Sequence, residues 1–301
     1  MALQELAASD VTSVYGLHGL LVESTFAWPD LFDPLGVCGP GDFRFTAGGQ
    51  VVAPRYGSLM RFTEPDRDLA FTIADDNRSV HASWRGVVPP VDVVSIFTNT
   101  VLRQVAARTD RIALHAAALR LGDEAILFIG PKGAGKSSLF AAGCAAGLGP
   151  LADDLAIPFE ADGDWWIRPG MPFGRLRLDI AERFGFAGAA SLPLAPAAAG
   201  KRLYRMSAVR ADPLRAYRVR AIHVLAPRGG ESGAFRREPL PAVAAFATLL
   251  GEVHEPTRAA ARAVGRLVDQ IPVARLRRAD DLAMLPATLQ SIAADAGWAL
   301  P

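Results

Sequence analysis

The first 85 residues consist of short runs in which hydrophobic and polar positions alternate. Each run ends at a cluster of turn-forming residues such as Gly-Gly, Pro-Asp or Asp-Asp-Asn. A period of two is typical of strands that bury one face, and such clusters separate successive strands. The pattern predicts a small, mostly antiparallel sheet, with strands at residues 15–26, 43–45, 50–53, 58–62, 69–73 and 79–84.

The spacing of hydrophobic residues becomes helical between residues 90 and 108. Val93, Ile96, Phe97, Val101 and Val105 fall on one side of a helix with 3.6 residues per turn. Because the pattern changes again after this segment, we predict a β-rich N-terminal module with a linking helix over residues 1–108. A second domain would occupy residues 109–301.

Residues 109–301 alternate between strand-like and helix-like segments, which is typical of an α/β domain. Strands are predicted at residues 111–120, 124–129, 151–159, 165–167 and 221–225. Helices are predicted at residues 136–146, 242–250, 256–268 and 281–293. Residues 187–200 are rich in Ala and Pro and are predicted to form a loop.

Composition narrows the class of protein. Half of the 301 residues are hydrophobic, which excludes a disordered chain. The 32 basic residues nearly cancel the 31 acidic ones, and a net charge of +1 argues against nucleic acid or an anionic membrane as partner. We expect neither a membrane span nor a signal peptide. Cys38 and Cys144 lack metal-ligand or CxxC spacing, so we expect reduced thiols in a cytoplasmic protein.

A phosphate-binding motif lies between a predicted buried strand and a predicted helix. Residues 130–137 match G-x-x-x-x-G-K-[ST], in which glycines let backbone N–H groups surround an anion at a helix N-terminus. Lys136 would reach the β- and γ-phosphates of ATP, and the Ser137 hydroxyl would bind Mg²⁺. Only three of the 32 basic residues are lysines, and two lie in this motif. The predicted nucleotide-binding residues are Gly130, Pro131, Lys132, Gly133, Ala134, Gly135, Lys136, Ser137 and Ser138.

Two carboxylates, Asp153 and Asp154, follow at the end of the next apolar run. Adjacent carboxylates near a phosphate loop can divide two tasks: one binds the cation, and the other accepts a proton from the attacking hydroxyl. His115 falls on the predicted strand before the one that leads into the motif. The guanine-reading N-K-x-D sequence and an ABC-type signature are absent, which argues against a GTPase and an ABC ATPase.

Three segments together resemble the catalytic domain of HPr kinase/phosphorylase. They are Leu-His-Ala-Ala-Ala from residue 114, Phe-Ile-Gly-Pro-Lys-Gly-Ala-Gly-Lys-Ser-Ser-Leu from residue 128, and Leu-Ala-Asp-Asp from residue 151. The chain more closely resembles the bacterial HPr-kinase-like serine kinases, some of which modify ribosomally made peptides such as lasso-peptide precursors. Tyr-Gly-Leu-His-Gly-Leu-Leu-Val-Glu-Ser from residue 15 is similar to their N-terminal β module. The resemblance implies an α/β P-loop kinase domain preceded by a small, mostly β module.

The resemblance also implies roles for individual residues. Asp153 would accept the proton of the substrate serine, and Asp154 would pair with Mg²⁺ or with His115, although the two aspartates could exchange roles. His115 would lie beside the γ-phosphate or orient a carboxylate. Residues that would bind phosphate or a substrate carboxylate are Lys201, Arg202, Arg175 and Arg177.

The chain departs from HPr kinase/phosphorylase in two places. Ser138 stands where that enzyme has Glu, and the enzyme's downstream glycine-rich signature is not recognisable. Both departures weaken the case for a phosphorolytic reverse reaction and for HPr itself as substrate. The sequence therefore predicts an ATP- and Mg²⁺-dependent kinase acting on a serine of a peptide or small protein, which the β-rich module over residues 1–108 would help to present. A small-molecule hydroxyl kinase and a non-catalytic nucleotide-binding regulator stay open, as does assembly into a homo-oligomer.

Overall fold

The computed structural model describes residues 12–29, 32, 34–35, 42–49, 57–193, 200–207, 212–227 and 235–300. Within these ranges the chain is mixed α/β, with three sheets. The described residues include no helix that is long and apolar enough to span a bilayer. Cys144 carries a free thiol, whereas Cys38 and the predicted strand at residues 50–53 lie outside the described residues.

The first sheet has six strands and contains both parallel and antiparallel pairs. Its order is β1-β2-β3-β6-β5-β4, and the β2–β3 and β3–β6 pairs are parallel. The prediction of one strand over residues 15–26 was wrong, because the chain reverses at His18 and Gly19. Their φ angles of 52° and 76° are those of a two-residue hairpin turn. The strands are β1 (Ser13–Leu17), β2 (Leu20–Ser24), β3 (Phe43–Ala47), β4 (Ser58–Glu64), β5 (Arg67–Ile73) and β6 (Ser79–Arg85).

The predicted helix over residues 90–108 is confirmed, and it contains a π turn that the sequence pattern did not predict. Helix α1 (Pro90–Ile96) begins with proline at a position where the missing N–H costs no hydrogen bond. The π turn (Phe97–Val101) follows, and α2 (Leu102–Arg108) completes the helix. Turns of this kind are rare and often lie near functional sites.

The second sheet has eight strands, with β8 and β15 adjacent and parallel at its centre. The strands of the second sheet are β7 (Ala117–Leu121), β8 (Glu124–Ile129), β9 (Gly149–Ala152), β10 (Pro158–Ala161), β11 (Asp164–Ile167), β15 (Tyr217–Leu225), β16 (Arg236–Pro239) and β17 (Val273–Arg277). A small third sheet consists of β12 (Phe173–Leu176), β13 (Ser191–Pro193) and β14 (Arg202–Arg205).

Helices cover both faces of the second sheet. Leu127 of β8 belongs to the hydrophobic cluster that includes α5 and α6, whereas Phe128 belongs to the cluster that includes α3 and α7. This alternation places successive side chains of β8 in two separate cores. The four helices predicted in this region are confirmed. The helices are α3 (Lys136–Ala145), α4 (Leu178–Arg183), α5 (Ala242–Glu252), α6 (Arg258–Gln270) and α7 (Leu285–Asp295).

Two predicted strands of this region are shorter in the structure. The predicted strand at residues 111–120 begins only at Ala117, so His115 lies in the extended segment before β7. The predicted strand at residues 151–159 is interrupted by a bend at Asp153 and Asp154. The bend separates β9 from β10, and it is the place where the two carboxylates lie.

The first hydrophobic cluster extends past the predicted boundary at residue 108. It contains most of the buried hydrophobic side chains of the first sheet and of the helix α1–α2, together with Ala113, Leu155, Ile157, Phe173 and Leu203. The helix and the first sheet are therefore packed against the segment that carries the two aspartates. The division into two domains stays a prediction.

Candidate functional site

The loop over residues 130–137, called the glycine loop below, joins β8 to α3 and has a backbone that requires glycine. Gly130, Gly133 and Gly135 have φ angles of 138°, 85° and 90°, which side chains of L-residues rarely allow. A Cβ atom at Gly130 would also lie 2.7 Å from the carbonyl oxygen of Leu225. A Cβ at Gly133 would meet no atom within 4 Å, so this part of the loop borders open space.

Lys136 is the first residue of α3 and is buried at the base of the glycine loop. Its Nζ donates hydrogen bonds to the carbonyl oxygens of Gly130 and Pro131. Burial lowers the pKa of Lys136, and the carboxylates of Glu252 and Asp154 oppose this shift. The ammonium group is therefore held between the loop carbonyls and a group of acidic side chains.

Asp153 connects the glycine loop to the third sheet. One carboxylate oxygen accepts a hydrogen bond from the Ser137 hydroxyl at 3.0 Å, and the other accepts one from the Arg175 backbone N–H at 2.9 Å. Burial raises the pKa of Asp153, and the hydrogen bond from the Arg175 backbone opposes this effect. The resemblance favoured Asp154 over Asp153 beside Ser137 at the metal and left the exchange of the two open; the Ser137 hydroxyl contacts Asp153.

Asp154 lies among three cationic or ionisable partners. Its Oδ1 is 3.1 Å from His115 Nε2 and 3.6 Å from Arg103 Nη2, and its Oδ2 is 3.2 Å from Arg175 Nη1. Burial alone would raise the pKa of Asp154, but the His115 hydrogen bond and the arginine charges lower it below its ordinary value. The Asp154 carboxylate is therefore ionised at neutral pH, and its orientation is fixed from three sides.

A cleft of about 690 Å³ brings most of the predicted site residues together. Gly130 and Ala134 support the loop without lining the cleft. Arg202 does not line it either, because its Nε donates to Ser191 Oγ at 3.3 Å. The predicted residues that line the cleft are His115, Pro131, Lys132, Gly133, Gly135, Lys136, Ser137, Ser138, Asp153, Asp154, Arg175, Arg177 and Lys201.

The basic residues of the cleft have different surroundings. Arg175 binds Asp154 and is half-buried, whereas the more exposed Arg177 forms an ion pair with Asp179 at 3.1 Å. Lys201 also lines the cleft and directly precedes β14. Leu282 lines the same cleft from the segment that precedes α7. The cleft thus extends from the glycine loop to Lys201 on one side and to Leu282 on another.

Three residues that contact this site were not predicted from the sequence: Arg103, Ser95 and Glu252. Arg103 Nη2 donates to the Asp154 carbonyl oxygen at 2.9 Å, and Arg175 Nη2 donates to the Ser95 carbonyl oxygen at 3.1 Å. Glu252, at the end of α5, accepts the His115 backbone N–H through its carbonyl oxygen at 3.1 Å. These partners are 51 to 137 residues apart in sequence, and no local motif marks them.

Neither a protein-family model nor a curated protein matches the sequence. Among solved structures, the HPr(Ser) kinase/phosphatase from Coxiella burnetii is similar over 61% of this chain and 97% of its own. The identity is 11% and the TM-score is 0.31. This is a distant structural relationship, and a TM-score this low supports no argument about function.

Proposed function

We propose that the protein is an ATP- and Mg²⁺-dependent kinase that phosphorylates a serine hydroxyl of a peptide or small protein. The observation that carries this proposal is a single cleft in which Lys136 and Ser137 of the glycine loop face Asp153 and Asp154. A phosphate cradle, a cation-binding oxygen pair and a second carboxylate are the groups that phosphoryl transfer to an alcohol requires.

The residues present fit a nucleoside triphosphate and its cation. The glycine loop borders open space at Gly133, and Lys136 begins the helix whose N-terminus faces the same cleft. Ser137 Oγ and Asp153 Oδ1 are two hard oxygen donors 3.0 Å apart. Magnesium is commonly bound by one or two protein oxygens together with phosphate oxygens, and ATP would supply both the remaining oxygens and the transferred group.

Asp154 and His115 form the acceptor side of the cleft in this proposal. Asp154 already faces three cationic or ionisable partners, so a further cation is better placed at Asp153. Asp154 is ionised and lines the cleft, where it would orient the serine hydroxyl. Because its pKa is lowered, it would accept the proton late, once the forming P–O bond has made that hydroxyl strongly acidic. Of the two arrangements that the sequence left open, the contacts therefore favour the exchanged one, with Asp153 at the cation and Asp154 at the acceptor.

Transfer of label from γ-labelled ATP to an array of serine-containing peptides tests the function. We expect Mg²⁺-dependent phosphoserine formation, which Asp154→Asn lowers about 100-fold while affinity for magnesium–ATP stays within about twofold. Asp153→Asn should instead raise the Mg²⁺ concentration needed for half-maximal rate. Asp162→Asn is the matched control, because Asp162 also has a positive φ, 54°, but lies in a turn outside the cleft.

Two results would redirect the proposal. Label transferred only to a small hydroxyl compound would indicate a metabolite kinase. Binding of magnesium–ATP without transfer to peptides, proteins or metabolites, together with full biological output from Asp154→Asn, would indicate a nucleotide-dependent regulator. Substrate identity, including a lasso-peptide precursor or an HPr-like carrier, would follow from which acceptor is labelled.

A further inference from the structure

We infer that Arg103, on the helix that precedes the second sheet, is a positioning residue that fixes Asp154 for phosphoryl transfer. This inference rests on the proposed function and adds to it a group from outside the region with the phosphate-binding motif. Arg103 lies in α2, 51 residues before Asp154, and 19% of its side chain is exposed.

One nitrogen of Arg103 reaches both the backbone and the side chain of Asp154. Nη2 donates to the Asp154 carbonyl oxygen at 2.9 Å and lies 3.6 Å from the carboxylate Oδ1. His115 and Arg175 also contact Asp154, but they contact only its carboxylate. Among the described residues, Arg103 is thus the side chain that contacts both the backbone carbonyl and the carboxylate of Asp154.

The backbone of Asp154 needs this restraint. Its φ angle is 91°, in the left-handed region that residues with a Cβ adopt only at a free-energy cost. Such a conformation persists where surrounding contacts determine it. Because Arg103 holds the carbonyl oxygen of the strained residue, its loss should let the bend relax and turn the carboxylate away from the cleft.

The same helix also contacts the second arginine at Asp154. Arg175 Nη2 donates to the Ser95 carbonyl oxygen at 3.1 Å, and Arg175 Nη1 contacts the Asp154 carboxylate at 3.2 Å. Ser95 of α1 and Arg103 of α2 therefore act on one carboxylate, one through Arg175 and the other directly. The helix sets the orientation of Asp154 from two points.

Arg103→Ala tests this role on the best acceptor from the peptide array. We expect kcat to fall about 10- to 100-fold while KM for ATP stays within about twofold, because the glycine loop is unchanged. Arg103→Lys should recover part of the rate, since an ammonium can reach one oxygen but lacks the planar geometry of arginine. Arg108→Ala is the matched control, because Arg108 lies five residues further along the same helix and donates to Ser58 Oγ at 2.6 Å.

Hydrogen exchange separates positioning from general support. In Arg103→Ala, exchange should rise about tenfold or more at Leu155 and Ala156, with no change in α3 or β5. Wild-type exchange at this bend, a wild-type kcat, or faster exchange across the first sheet would each overturn the inference. If the wild-type protein labels no acceptor, the proposed function fails, and the exchange at the bend still decides whether Arg103 holds Asp154.

Discussion

The first sheet and the second sheet are stabilised by different kinds of core. Nine of the 27 buried residues in the first hydrophobic cluster are aromatic, and rings of Trp28, Phe45 and Phe97 contact one another. In the clusters on the two faces of the second sheet, two of 23 and three of 20 are aromatic, and alanine is frequent. Small side chains allow helices and loops to approach strands closely.

The second sheet therefore carries the glycine loop, whereas the aromatic cluster holds in place the helix that contacts the site. The glycine loop passes so close to β15 that even a Cβ at Gly130 would meet backbone, which the aliphatic core of the second sheet permits. The aromatic cluster instead fixes the helix α1–α2, from which Arg103 and Ser95 reach the cleft. We therefore expect substitutions in the second sheet's loop to remove activity and substitutions in the first cluster to remove stability.

Lys136→Ala should produce the largest effect on the chemistry. The ammonium would no longer balance the charge that develops on the transferred phosphoryl group, so kcat should fall about 100- to 1,000-fold. Stopped assays with γ-labelled ATP would measure the rate, and thermal unfolding should show little change. Arg183→Ala is the control, since Arg183 is an exposed cation of α4 that does not line the cleft. An equal loss in both variants would contradict a specific role for Lys136.

Phe97→Ala should produce the largest effect on stability. The ring stacks on Phe45 at 4.2 Å between centroids and is fully buried, so its loss should cost about 3–5 kcal/mol of unfolding free energy. Urea unfolding at neutral pH would measure this cost. Leu59→Ala, at an exposed position of β4, should change stability by less than about 0.5 kcal/mol. Similar values for both variants would show that the aromatic cluster is not the main support.

His18 should give a smaller, pH-dependent effect at the contact between β1 and the segment after β11. Burial lowers the pKa of His18 to about 4 from its ordinary 6.5. Between these values the unfolded chain binds more protons, so stability is complete above pH 6.5 and falls as the pH decreases towards 4. The loss from pH 7 to pH 5 should be about 2 kcal/mol.

His18→Asn is the variant that isolates this effect, because asparagine tolerates the positive φ of 52° and does not titrate. Urea unfolding at pH 7 and pH 5 should show a weaker pH dependence in the variant. His223 is also buried, with its pKa lowered to about 3, and its contribution is common to both proteins. Identical pH profiles would contradict the assignment to His18.

Local signals predicted the elements that carry their own pattern. The strand before the glycine loop, the helix after it and the three later helices follow from hydrophobic periodicity, and the loop follows from its glycines. The hairpin at His18 was missed because alternation continues through it, although Gly19 gave a turn signal. The parallel β2–β3 and β3–β6 pairs were missed because strand order depends on contacts distant in sequence.

The sequence could predict only those site residues that lie next to one another along the chain. The loop residues and the two aspartates form short motifs, but their division of contacts depends on where the chain bends. The positive φ of Asp154 rotates its carboxylate towards His115 and Arg175, while Asp153 turns to Ser137. Arg103 gave no sequence signal, since arginine is the common surface cation of this chain.

Because of the π turn, the number of residues in the helix decides whether Ser95 and Arg103 face the cleft together. Residues eight positions apart in an unbroken α-helix differ in direction by roughly 80° about the axis. The wider turn, closed by the Leu102 N–H to Phe97 carbonyl bond, advances less per residue and reduces that offset between Ser95 and Arg103. Deleting a single residue from this turn would rotate the side chains of α2 by roughly 100° about the helix axis relative to those of α1. The guanidinium would then point elsewhere even though every side chain of the cleft remained in the sequence.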